Sequence, residues 1–224
     1  MQIKPTGFRV ARWAAWTPEF DNSETAGVPP SLKRRVGKTG QKALSAAWKL
    51  DAKNARIIFS SRHGDFSRSL SLIDSLAKTG EVSPADFTLS VHHGLVGLLS
   101  IAQINRRGHT AISAGTESFC YGLLEAVACL KENPDEQVML IHCDEVLPAP
   151  FAQFNEPGEQ NIALALLLDN GNEFSLSAHK TENKKSISSA PAQDFLQLLR
   201  SDIKEKTSIC ETAEWHWMKN ALTA

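Results

Sequence analysis

The chain has 224 residues, 42% of them hydrophobic and 22% charged, with a formal net charge of −1. This composition is typical of a globular domain with a sizeable core, and a net charge near zero gives no global field that would recruit nucleic acid or an anionic membrane. Because no stretch approaches the roughly 20 apolar residues of a membrane span, and the N-terminus has no apolar signal region, we expect a cytoplasmic protein.

The first half of the chain predicts strands alternating with helices. Residues 8–16 alternate and include two tryptophans, which favours a first strand. Residues 39–52 have helical apolar spacing, and 56–60 form a short apolar run typical of a buried strand. Residues 66–77 place apolar side chains on one helix face, and Gly80 is predicted to be the helix C-cap.

The second half continues this alternation as far as residue 169. A helix rich in small residues is predicted over 93–104, and buried strands over 137–142 and 161–168. This pattern indicates a mainly parallel sheet with helices on both faces. The character then changes: 174–178 alternates weakly, 181–191 is polar, and 195–199 resembles a short amphipathic helix. The C-terminal tail is predicted to pack onto the rest of the chain, because it contains the large apolar residues Trp215, Trp217 and Met218.

Cysteine and histidine spacing does not predict a metal site. The four cysteines occur singly, so we expect reduced, buried thiols and no structural zinc. No metal and no cofactor is expected. The cysteines are Cys120, Cys129, Cys143 and Cys210, and the histidines without ligand spacing are His63, His109, His142, His179 and His216. Asp144 and Glu145 follow a buried strand, where hydrogen bonds to neighbouring backbone are the predicted role.

The segment 111–126 has the pattern of a strand, a tight turn and a helix. Ala114 and Gly115 allow a sharp reversal, and Thr116 is predicted to cap the following helix. Many α/β enzymes hold a nucleophile at such an elbow, because a helix N-terminus stabilises developing negative charge. Here the turn residue is a threonine. Glu117 in the first helical turn is favoured by the helix dipole.

Several motifs in order resemble the N-terminal half of β-ketoacyl synthases, which have the thiolase fold. They are Gly97-x-x-Ser100-Ile101, Gly108 and Ile112-Ser-Ala-Gly-Thr116, with further similarity at 8–16, 29–36 and 83–93. Together they cover roughly residues 5–170 and look like stand-alone synthase-like N-terminal domain proteins. Those proteins are similar to chain-length-factor subunits of aryl polyene and type II polyketide systems. The resemblance implies a thiolase-like half-domain with five strands over 1–170 and a C-terminal extension over 171–224.

The resemblance also implies a chain that is not catalytic by itself. Thr116 matches the position of the family's acyl-accepting cysteine, and the 224 residues contain no second half that could supply the family's histidine pair. The implied function is a chain-length-factor-like subunit that pairs with a β-ketoacyl-ACP synthase and shapes its acyl tunnel, with an acyl carrier protein as a further partner. The residues predicted to face the tunnel or the partner are Phe87, Ser90, His92, His93, Ile112, Glu117 and Phe119.

Two other functions stay open at this point. The chain could be an independent small acyltransferase or thioesterase that uses the hydroxyl of Thr116 or the thiol of Cys120. It could also be a homodimeric module that binds an acyl chain or an acyl carrier protein, and the basic run Lys33–Arg35 would suit an acidic carrier.

Overall fold

A computed structural model describes residues 2–25, 27–51, 53–156, 158–181 and 190–220. In these residues the chain forms one eight-stranded sheet with helices packed on both faces. The strands are β1 (Gln2–Thr17), β2 (Phe20–Asp21), β3 (Arg56–Ser60), β4 (His109–Ile112), β5 (Val138–Asp144), β6 (Ile162–Lys180), β7 (Glu205–Ile209) and β8 (Ala213–Lys219). The helices are α1 (Pro30–Lys33), α2 (Lys38–Leu50), α3 (Phe66–Thr79), α4 (Pro84–Ser90), α5 (Gly94–Gln103), α6 (Ser118–Glu132) and α7 (Pro191–Arg200), with a 3₁₀ helix at Ala149–Phe154.

The α/β class is as predicted, whereas the number and direction of the strands differ from the prediction of a mainly parallel sheet of five. The strand order is β2-β1-β6-β5-β3-β4, and β8 joins β6 to β7. Among the strands of the described residues, only β5, β3 and β4 run parallel. Helices connect these three strands, as parallel crossovers require, but only a 3₁₀ helix lies between β5 and β6, so β6 returns antiparallel.

The two faces of the sheet have separate hydrophobic cores. Helices α6 and α7 cover one face, and α2 and α5 cover the other. Every residue of β5 is buried, because alternate side chains serve the two cores: Val138 and Leu140 point to α6, and Met139 and Ile141 point to α2. The predicted C-cap at Gly80 is confirmed, since its left-handed backbone donates an N–H to Leu76 O.

The C-terminal segment is part of the same sheet. Strand β8 pairs with residues 174–180 of β6, and the side chains of Trp215 and Trp217 are fully buried and stacked on one another. The predicted packing of this tail is therefore confirmed for the two tryptophans, although Met218 is partly exposed. The division predicted at residue 170 falls inside β6. Most of the predicted polar loop, 182–189, lies outside the described residues.

Candidate functional site

The turn between β4 and α6 forms the predicted elbow, but a different hydroxyl organises it. Gly115 has a left-handed backbone (φ +58°), which a side chain would disfavour. The Ser118 hydroxyl accepts a hydrogen bond from Ala114 N–H (2.9 Å) and donates one to Gly115 O (2.7 Å). The prediction that Thr116 caps the helix is wrong, because α6 begins two residues later and Ser118 closes the turn from inside the helix.

Thr116 lines a small cavity at the carboxyl ends of β3 and β5. The cavity has a volume of about 50 Å³, room for a few water molecules and far less than an acyl chain needs. Its walls include Phe119 of α6, His142 and Asp144 of β5, and the first residues of α7. Within the described part of the chain, no base is hydrogen-bonded to the Thr116 hydroxyl.

A buried hydrogen-bond network forms the floor of this cavity. His142 Nδ1 lies 2.9 Å from Ser60 Oγ, and His142 Nε2 lies 3.2 Å from Asp144 Oδ2. The other carboxylate oxygen of Asp144 accepts hydrogen bonds from the Ser61 hydroxyl (2.9 Å) and the Arg62 N–H (2.7 Å). Burial raises the pKa of Asp144, but His142 and these donors outweigh burial, so its pKa falls below the ordinary value.

The order serine, histidine, aspartate is similar to that of a hydrolase triad, but the geometry excludes that chemistry. Ser60 is fully buried beneath α6, where Gly122 approaches so closely that a Cβ atom there would lie 2.7 Å from Ser60 Cβ. A substrate cannot reach the Ser60 hydroxyl through this contact. The network therefore ties the ends of β3 and β5 together, which agrees with the structural role predicted for Asp144.

Arg62 closes one side of the cavity. Its guanidinium contacts Glu156 (3.3 Å) and Glu159 (3.5 Å), which belong to the segment between β5 and β6. Sequence reasoning did not identify Arg62 or Ser61. Their position directly after the predicted strand 56–60 could have identified them as site residues, because the carboxyl ends of parallel strands meet at one edge of a sheet.

Comparison with known proteins agrees with this architecture. The family model described as β-ketoacyl synthase, N-terminal domain, matches residues 10–218. The chain belongs to this family. A search of curated protein sequences finds no match.

Solved structures of synthases share the fold. One chain of "Ketosynthase (ApeO) in Complex with its Chain Length Factor (ApeC) from Xenorhabdus doucetiae" has a TM-score of 0.83 and 22% identity, over 95% of this chain and 99% of that chain. One chain of a type II polyketide synthase complex, an acyl-carrier protein with its ketosynthase, has a TM-score of 0.68 and 11% identity, over 97% and 100%. A β-ketoacyl synthase from Burkholderia phymatum has a TM-score of 0.54 and 12% identity, over 81% of this chain and 56% of that chain.

In this member of the synthase family, Glu117 connects the elbow to the C-terminal hairpin. Its side chain is buried and accepts hydrogen bonds from Thr212 N–H (3.0 Å), the Thr212 hydroxyl (2.6 Å) and Ala213 N–H (3.0 Å). The carboxylate thus satisfies two backbone donors in the turn between β7 and β8. Its predicted role near a partner or a tunnel remains a prediction.

The other side chains of α6 near the elbow lie inside the chain. Phe119 is 1% exposed and contacts the rings of His142, Phe195 and Trp217. Cys120 is fully buried; burial raises the pKa of its thiol well above the ordinary value, and the neighbouring Cys210 raises it further. A protonated thiol without access to solvent is a poor nucleophile.

The remaining predicted residues lie around α4, α5 and β4. Phe87 is 60% exposed, and Ser90 donates a hydrogen bond to its carbonyl oxygen. His92 Nε2 lies 3.0 Å from Ser61 O, and the exposed His93 lies beside His109, with ring centroids 5.8 Å apart. Ile112 is half-buried at the end of β4.

The structure thus divides the predicted site residues between two regions. Glu117 and Phe119 belong to the interior around α6, whereas Phe87 and His93 are exposed and Ser90 is half-buried. The described residues contain no group of three or more histidine, cysteine, aspartate or glutamate side chains that could hold a metal ion. None of the described helices is long and apolar enough to cross a membrane.

Proposed function

We propose that this synthase-family chain is the non-catalytic partner of a β-ketoacyl-ACP synthase, comparable to a chain length factor. The observation that carries the proposal is an intact family elbow without a reactive group. Thr116 has no hydrogen-bonded base within the described residues, and the nearby Cys120 is buried and protonated. The cavity beside Thr116 is also too small for an acyl chain.

The free edge of β4 is the proposed pairing surface. Among the described strands, β4 pairs only with β3, which leaves its outer backbone groups available. Ile112, Tyr121, Leu124 and Ala128 form a shallow, mainly apolar groove beside this edge. An exposed edge strand next to apolar side chains promotes association, so a permanent partner both satisfies the backbone and covers the groove.

The tunnel-shaping role is proposed for Phe87, Ser90, His92 and His93. A growing acyl chain stops when its terminus meets a filled space, and bulky side chains from a partner subunit can supply that barrier. Phe87 projects from α4 and is not held by the interior of its own chain. The products would be chains of polyene, polyketide or fatty-acid type, extended on an acyl carrier protein.

Co-expression of the chain with candidate ketosynthases, followed by affinity purification, tests the proposal. We expect a stable complex, and we expect Ile112→Asp to abolish it, because the charge would be buried without a counter-ion. Ile3→Asp is the control: it introduces the same charge at a half-buried isoleucine of β1, away from the β4 edge. Thermal melts of both variants show whether the chain stays folded. Full co-purification of Ile112→Asp would contradict the proposed edge.

Incubation with acyl-ACP tests whether the chain can accept an acyl group covalently. We expect the purified chain to show no mass increase, since no activated nucleophile is accessible. An acyl adduct on Thr116 or Cys120 in an intact-mass spectrum would instead support an independent acyltransferase.

A further inference from the structure

The C-terminus of α5 contains a strained isoleucine. Ile104 follows the last residue of the helix with φ 56° and ψ 34°, a left-handed conformation. Its N–H bonds to Ile101 O (3.2 Å), and the N–H of Asn105 bonds to Ser100 O (2.9 Å), as in a Schellman motif. Glycine normally occupies this position, because a Cβ atom is unfavourable there and a β-branched side chain is more so.

The interior of the chain does not compensate for this strain. The side chain of Ile104 is 75% exposed, and Ile101, one helical turn earlier, is 78% exposed. We call these two residues the isoleucine knob. The other non-glycine residue with positive φ, in the described part of the chain, is Asp51, a short polar residue that tolerates this conformation. A strained backbone that presents an uncovered apolar side chain points to a function in binding.

The knob lies near the amino end of β4. Asn105 Nδ2 donates a hydrogen bond to Ala55 O just before β3, and Gly108 O accepts one from Ile57 N–H. Strand β4 then begins at His109. The knob is therefore at the amino end of β4, and the cavity described above is at the opposite end. A partner strand that pairs along the full length of β4 therefore has one end close to the knob.

The loop that joins the knob to β4 contains two arginines. Arg107 forms an ion pair with Glu136. The neighbouring Arg106 is exposed and forms no ion pair within the described residues. A partner that covers this surface would gain from placing a carboxylate opposite Arg106.

We propose that the isoleucine knob is an anchor that inserts into an apolar recess, bordered by a carboxylate, on the ketosynthase subunit that pairs with β4. The inference rests on the proposed function and adds a named contact to it. A stable interface buries about 800 Å² on each partner, which four residues of edge strand do not provide alone. The knob is exposed apolar surface at the amino end of the same strand, so one partner can cover both.

Because the backbone of Ile104 is strained, the effect of this residue on binding can be separated from its effect on the stability of the free chain. Replacing Ile104 with glycine removes the side chain and relaxes the left-handed backbone. We expect Ile104→Gly to raise the melting temperature of the free chain by about 2–4 °C, while the dissociation constant of the ketosynthase complex rises at least tenfold. Ile101→Gln should weaken the complex without raising the melting temperature, because Ile101 is in regular helix. Arg106→Glu should weaken it most at low salt.

The control is Ile203→Gln, a partly exposed isoleucine between α7 and β7, which should leave the complex unchanged. Binding is measured by isothermal titration calorimetry with the purified ketosynthase. Wild-type affinity in both Ile104→Gly and Ile101→Gln would overturn the anchor while leaving the proposed function intact. Failure of the wild-type chain to bind any ketosynthase would overturn the proposed function itself. Sedimentation of the chain alone provides a further check: a homodimer that Ile104→Gly dissociates would assign the knob to a second copy and overturn the proposal.

Discussion

The face of the sheet that holds α6 and α7 differs sharply from the outer surface formed by α3 and α4. On the first side, Phe119, Phe195, Trp215 and Trp217 are buried against one another, and the carboxylates of Glu117 and Asp144 are fully hydrogen-bonded. On the second side, α3 has 14 residues and none of them is buried. The first side has a closed aromatic core, whereas the second leaves Ile73, Leu76 and Phe87 exposed.

This contrast follows from what covers each helix. In α6, one flank packs on the sheet and another meets α7 and β8, so the C-terminal segment completes its environment. Helix α3 packs on α4 and is held by Arg68, which reaches Asp65, Asp86 and the carbonyl oxygen of Arg35. Helices of this length draw most of their stability from tertiary packing. The exposed apolar residues of α3 and α4 therefore favour coverage by another chain.

The largest expected effect is at Phe119. Phe119→Ala would leave a cavity among His142, Phe195 and Trp217, and we expect the free energy of unfolding to fall by about 3–5 kcal/mol. Urea denaturation of the isolated chain measures it. Phe59→Ala is a matched change in the core of the opposite face and should cost a similar amount. A loss below about 1 kcal/mol at Phe119 would show that this side is not a finished core.

The next effect is at Glu117. Glu117→Ala removes the acceptor of three hydrogen bonds and leaves the N–H groups of Thr212 and Ala213 without it. We expect a loss of about 2–3 kcal/mol and faster hydrogen exchange in the turn between β7 and β8. The control is Glu211→Ala, an exposed glutamate in the same turn. If the amides of this turn exchange hydrogen at the same rate in the wild type and in Glu117→Ala, the proposed link between the elbow and the hairpin is wrong.

A smaller and pH-dependent effect is expected at Asp144. Its pKa is lower in the folded chain than in the unfolded chain, so its ionised form stabilises the fold at pH values above about 4. That stabilisation is lost as pH falls through the folded pKa. Asp144→Asn should therefore cost about 1–3 kcal/mol at pH 7 and progressively less below pH 4. Chemical denaturation between pH 3 and 7 checks this, and a pH-independent difference between the two proteins would refute it.

Strong local patterns allowed much of the fold to be predicted from the sequence. The short apolar run 56–60 matches β3, and the C-cap at Gly80 was visible because glycine follows a clear helical face. The second half of β6 was not predicted as a continuation, since the polar run Asp169–Glu173 looks like a turn. In the structure, irregular pairing near Phe8 and Arg9 of β1 accommodates this run, and Arg9 forms an ion pair with Asp169. That compensation depends on a strand about 160 residues away.

The candidate site was less predictable, because its contacts depend on register. His142 meets Ser60 since β3 and β5 pair with these two residues directly opposite. Glu117 contacts a turn 95 residues later in the chain. Neither of these long-range contacts can be predicted from the spacing of residues that are close together in the sequence. The elbow itself has a local signature, and it was found in the correct place, although the capping residue was not.

Phe87 is expected to have the smallest effect on the free energy of unfolding. Its substitution gives the most direct test of function, because it should change product length. Phe87→Ala changes an exposed side chain and should alter the free energy of unfolding by less than about 0.5 kcal/mol. If Phe87 faces the acyl tunnel of a ketosynthase, the truncation leaves room for a longer chain, so product length should shift upward. Ser90→Phe adds bulk on the same helix and should shift product length downward.

Mass spectrometry of carrier-bound products from the reconstituted pair measures the shift. Phe154→Ala is the control, because Phe154 is similarly exposed but lies in the 3₁₀ helix after β5. Unchanged product lengths in Phe87→Ala and Ser90→Phe, with the complex assembled and turning over, would remove the chain-length role and leave a scaffolding subunit. Longer products in Phe87→Ala and shorter products in Ser90→Phe, with an unchanged free energy of unfolding in both, would show that α4 controls product length.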